Sequence, residues 1–69
     1  MNFELKVACQ KELRKTGRSA PEPLLALLGK LQGDTVHRKG IVNDVIEDAR
    51  RLRKTAIVTA LENFYLQIV

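Results

Sequence analysis

The sequence predicts an all-α fold: a small bundle of three helices with a long C-terminal helix, completed by dimerisation and spanning residues 1–69 as one helical domain. Three observations predict it. From Ile41 to Val69, apolar residues recur at spacings of three and four, the period of one helix face. From Glu4 to Lys15, the chain is dominated by Glu, Leu, Lys, Ala, Gln and Arg, which are strong helix formers. Between the patterned stretches lie only two short segments, around Gly17–Ala20 and Gly33–Thr35, and such short connections set consecutive helices antiparallel.

The first helix is expected over residues 3–16. Phe3, Leu5, Val7 and Cys9 alternate with Asn2, Glu4, Lys6 and Ala8 in the manner of a strand. The residue types, the helical spacing of Leu5, Cys9 and Leu13, and the lack of a second strand to pair with favour a helix ending near Thr16-Gly17. The second helix is expected over 21–32. Ser19-Ala20-Pro21-Glu22 reads as a capping box, although Pro23 fits better if Pro21 opens the helix, which puts both prolines in the donor-free first turn. Leu24, Leu25, Leu27, Leu28 and Leu31 make this the central core element, and Gly33 ends it.

Asp34 and Thr35 are both competent caps for the third helix, which starts either at 36 and runs through Gly40, or at 41, and extends to 68. Its apolar side collects Ile41, Val42, Val45, Ile46, Ala49, Leu52, Ala56, Ile57, Ala60, Leu61, Phe64 and Ile68. One residue breaks the pattern: Arg53 projects inside the apolar arc, either as a stem that packs while its head reaches water or as an ion-pairing register device between subunits.

The long helix sets up a conflict of dimensions. From Ile41 to Val69 it would be a rod of roughly 43 Å, whereas a compact chain of this size has a radius of gyration of only about 11 Å. The far end is also the most apolar part, because Val58, Tyr65, Leu66 and Val69 leave the main stripe. That end requires cover, so the sequence points to a subunit or partner interface formed by Ile57, Leu61, Phe64, Tyr65, Leu66 and Ile68, with a two-fold dimer as the expected assembly.

Composition bounds function more than it identifies it. With 45% hydrophobic and 29% charged residues, the chain is too apolar for a disordered tail and has no apolar run fit to span a membrane. Its single cysteine, Cys9, agrees with a reducing compartment and reads as a buried apolar side chain. A cytoplasmic location is the default expectation. The net charge of +4 permits acidic partners without requiring them.

Catalysis requires convergent groups, and one histidine, one cysteine and scattered hydroxyls do not supply them. No enzyme activity, cofactor or metal is therefore expected. Asp44, Glu47 and Asp48 share a helix surface but read as a solvated face paired with Arg51. The basic residues Arg38, Lys39, Arg50, Arg51 and Lys54 could instead contact nucleic-acid phosphates, with affinity falling steeply in salt. Thr16-Gly17-Arg18-Ser19 resembles the inter-helix turn of ribbon-helix-helix repressors, with Phe3–Cys9 as the ribbon. That resemblance covers roughly a third of the chain and leaves too few residues for that fold's first helix, so it implies no function here. The leading reading is a non-enzymatic protein-binding adaptor, inhibitor or chaperone-like regulator acting as a helical homo-oligomer. The alternative is a small nucleic-acid-binding regulator.

Overall fold

Helix formers and apolar spacing organise every element of the structure, a computed structural model that describes residues 2–16 and 21–69. Among the described residues four helices follow in order: α1 (Asn2–Lys15), α2 (Glu22–Leu28), α3 (Thr35–Arg51) and α4 (Thr55–Gln67). No strand occurs among the described residues.

In α1, helix propensity prevails over the alternating pattern, and Cys9 and Leu13 are buried one turn apart. Phe3–Cys9 is therefore helix and not a ribbon. The capping box expected at Ser19 lies outside the described residues. Pro21 occupies the N-cap position of α2 and Pro23 falls in its first turn, where a missing N–H costs no intrahelical bond. The helix is shorter than expected, closing at Leu28 with Gly29 as C-cap, although Leu31 beyond it is still buried. Gly33 turns the chain at φ +105°, a conformation natural only to glycine. The Asp34 carboxylate then caps α3, accepting the His37 N–H at 2.8 Å, so that helix begins at Thr35 and runs straight through Gly40.

The expected long C-terminal helix is two helices. α3 stops at Arg51, and Arg53 adopts φ +58°, the one non-glycine positive φ among the described residues. Two backbone bonds close the end: Arg53 N–H to the Arg50 carbonyl at 3.0 Å and Lys54 N–H to the Ala49 carbonyl at 3.1 Å. These are the paired bonds of a Schellman motif, with Arg53 at the left-handed position glycine usually holds. Arg53 broke the apolar stripe because it is not part of a helix. The three residues Leu52–Lys54 reset the phase, so that α4 presents Ile57, Val58 and Leu61 inward.

Side-chain pairs fix the topology. Asn2 clamps the Gln32 backbone at α2's far end, accepting its N–H at 3.0 Å, so α1 and α2 are antiparallel. Lys6 to Asp44 at 3.0 Å and Gln10 to Asp48 at 2.8 Å run α3 parallel to α1. Arg50 to Glu62 at 2.6 Å brings α4 back along α3. Cys9, Leu13, Leu24, Leu28, Val42, Val45, Ala49, Ile57 and Leu61 form the centre of the core.

This return of α4 resolves the conflict of dimensions without a second copy. The chain measures 30 × 22 × 19 Å with a radius of gyration of 10.7 Å. It exposes 4554 Å², close to the about 4,400 Å² of a self-contained monomer of its mass. Of the apolar helix end from which a dimer was expected, Phe64, Tyr65 and Ile68 pack in part against the chain's own core, while Leu66 and Val69 stay exposed.

Candidate functional site

Where α4 lies back along α3, residues at helical spacing on both sides face one another across a groove. α3 contributes Asn43, Ile46 and Arg50, and α4 contributes Glu62, Asn63, Tyr65 and Leu66. Its apolar lining is buried Ile46, half-buried Tyr65 and Leu66, which stands 75% exposed. Its rim is polar. The amides of Asn43 and Asn63 are exposed, and Arg50 binds Glu62 at 2.6 Å with Glu47 behind it at 3.8 Å. Lys39 rests its ammonium 5.0 Å from the Tyr65 ring centroid, a cation–π contact that holds the ring at the groove's edge. An apolar centre inside a polar rim is the anatomy of a protein-binding surface.

The six residues expected at a subunit or partner interface divide. Ile57 and Leu61 are fully buried in the chain's own core, because the corner at Leu52–Lys54 turns their face inward. Phe64, Tyr65 and Ile68 are half-buried against that core, and Leu66 is the exposed member. Phe64 and Ile68 line a different hollow, shared with Leu28, Leu31, Arg38 and Val69, so the structure does not gather the six into one patch.

The five basic residues considered for nucleic acid are each engaged inside the chain. Arg38 donates to the Gly33 carbonyl at 3.1 Å and to the Val69 carbonyl at 2.6 Å. Lys39 lies on Tyr65, Arg50 on Glu62, and Arg51 on Asp48 at 2.6 Å. Lys54 donates to the Leu13 carbonyl and, at 2.7 Å, to the Thr16 carbonyl. A cation on terminal carbonyls satisfies groups the helix leaves open and complements its dipole, so Lys54 is a fastener between the α3–α4 corner and the end of α1.

Cys9, the sole thiol, is wholly buried, and burial pushes its pKa up to about 11. A thiol held neutral in this way is not a nucleophile. Among the described residues, no group of three or more His, Cys, Asp or Glu side chains could hold a metal ion, and no helix is long and apolar enough to cross a membrane.

Sequence reasoning missed Asn43 and Asn63 as lining of one groove, because only the folding back of α4 brings them together. The signal that could have found them was Arg53: a charge out of phase in an apolar stripe marks a place where the helix ends.

Residues 1–63 match the family described as INTS6/SAGE1/DDX26B/CT45 C-terminus. The chain is 38% identical over 68 residues to Integrator complex subunit 6 of Mus musculus and of Homo sapiens, aligning 99% of its own length with 8% of theirs. It is 37% identical over 67 residues to Integrator complex subunit 6-A of Xenopus laevis, covering 97% of itself and again 8% of the relative. It thus spans about a twelfth of the curated relatives it matches. No solved structure matches it.

Proposed function

The chain belongs to the INTS6/SAGE1/DDX26B/CT45 C-terminus family, and from that membership we propose that it is a non-catalytic docking module that joins a polypeptide to other subunits of a multi-protein complex. The relatives are named as subunits of the Integrator complex, and a segment of another subunit is the occupant proposed for the α3–α4 groove. The carrying observation is the exposed Leu66 beside Ile46 and Tyr65, set within the rim of Asn43, Asn63 and the Arg50–Glu62 pair. Apolar anchors enclosed by satisfied polar groups are where binding energy concentrates. The nucleic-acid alternative is disfavoured because its five cations already have partners within the chain.

A segment exchange tests this reading. The matching segment of human Integrator complex subunit 6 is replaced by this chain in a tagged protein, and recovery of the other Integrator subunits is quantified. The exchanged protein is expected to recover them at the native level, and Leu66→Asp to lower recovery at least about tenfold. Full recovery by Leu66→Asp, with loss instead on Arg51→Gln, would overturn the assignment of the groove. Size-exclusion chromatography with light scattering on the isolated chain separates docking from self-association, since a monomer leaves the groove free for another protein.

A further inference from the structure

We propose that the corner between α3 and α4 is a second docking surface, which takes an acidic protein segment carrying an exposed apolar side chain. Leu52, the C-cap of α3, is 40% exposed although it follows a helix whose other apolar residues are mostly buried. It borders two hollows. One is shared with Gln10, Arg14, Arg51 and Asp48, an acid already held by Gln10 and Arg51, and the other with Arg53 and Lys54. An apolar side chain therefore stands with cations on both sides.

The charge balance at this corner differs from that of the α3–α4 groove. In the groove, each cation meets an acid or a ring. At the corner, Arg51 is paired with Asp48, but Arg14 reaches only a carbonyl of its own helix, at 3.4 Å. Arg14, Lys15 and Arg53 are exposed and form no ion pair among the described residues. The fastening of Lys54 onto the end of α1 brings this uncompensated charge together, because it sets Arg14 and Lys15, the last residues of α1, beside the corner. Unmatched positive charge favours an acidic partner and speeds its approach.

Arg53 sharpens the inference. It holds a left-handed conformation that is unfavourable for a residue with a side chain, at a position where glycine would fit. A nucleic acid would also supply negative charge. The corner, however, offers no aromatic side chain for stacking bases, and a phosphate backbone has nothing to place on Leu52.

Fluorescence anisotropy on the intact chain tests the proposal, at several salt concentrations. The probes are a labelled Asp/Glu-rich peptide with one central leucine, the same peptide with serine in that place, a single-stranded oligothymidylate and a DNA duplex. The leucine peptide is expected to bind at low salt, the serine peptide about tenfold more weakly, and the nucleic acids more weakly still. Leu52→Ser should remove the preference for leucine, and Arg53→Gly with Arg14→Gln should weaken both peptides alike. Because glycine suits the position of residue 53, Arg53→Gly alone should keep or raise the thermal midpoint while lowering peptide affinity, which separates recognition from folding. The proposal is overturned if the leucine peptide does not bind, if binding ignores Leu52, or if either nucleic acid binds as tightly as the leucine peptide.

Discussion

Two seams meet along α3, and although both share one apolar core they differ in their polar pairs. Against α1, which runs parallel, α3 places a polar ladder of Lys6 with Asp44 and Gln10 with Asp48, and the corner beyond α3 adds Lys54 on the Leu13 and Thr16 carbonyls. Against α4, which runs antiparallel, it places Ile46 and buried neighbours beside Ile57, Val58 and Leu61, with ion pairs confined to the rim. The contrast teaches a division of labour. Apolar burial is non-directional and supplies most of the stabilisation. Parallel helices that no short loop joins need directional pairs to fix their register. The apolar seam also ends in an open groove, whereas the polar seam ends in a cationic corner.

Breaking the apolar seam should cost most. Leu61→Ala removes a fully buried side chain from the face of α4 and should destabilise by about 2–5 kcal/mol, measured by urea unfolding. A loss near zero would mean that α4 does not pack as described. Lys54→Met keeps the stem and removes the ammonium that holds the two seams together. It should cost about 1–2 kcal/mol and speed amide exchange at the end of α1 more than in α4. Equal exchange in both helices would deny Lys54 its role as a fastener.

Gly40 lies exposed within α3, and a Cβ there would meet nothing within 4 Å. Gly40→Ala should therefore stabilise by about 1 kcal/mol, and a drop in the thermal midpoint would show that the first turns of α3 are not helical. Lys6→Met should matter least, at under about 1 kcal/mol, with the difference vanishing at high salt, as expected of a partly exposed pair.

Cys9 adds a pH test of the buried side of α1. Its pKa is raised by burial from 9.0 to about 11, so above pH 9 the unfolded chain releases a proton that the folded chain keeps. Stability from this group is complete below that point and is lost as pH rises toward 11. A Cys9→Ala variant should lack this alkaline component of the decline, and an identical decline in both proteins would contradict the burial of the thiol.

How much of this was legible in the sequence follows from where the information resides. Residue chemistry carried the helical class, the burial of Cys9, Asp34 as a competent cap and the place of Pro21 and Pro23, because these depend on neighbours a few positions away. The corner was not legible as such. Leu52-Arg53-Lys54 contains no glycine or proline, and its termination depends on an arginine adopting φ +58° while Lys54 reaches α1, a contact 38 residues away in sequence at Thr16. Two clues were present: the rod too long for its domain and the charge out of phase at Arg53. Both mark a fold-back within one chain. Ile57 and Leu61 thus moved from expected interface to core, and the candidate groove fell to residues that only the fold-back brings together.

The groove exists only if α4 returns along α3, and one distance measures that directly. Asn43 and Asn63 are both exposed and line opposite walls of the groove. Nitroxide labels placed there in a Cys9→Ala background, diluted with unlabelled protein so that only intramolecular pairs contribute, can be read by pulsed electron resonance. The expected result is a narrow distribution well below about 20 Å, set by neighbouring helix axes about 8–10 Å apart plus the label arms. A distribution centred near the roughly 30 Å that twenty residues of one continuous helix would impose would contradict the corner, the groove and the docking function proposed for it.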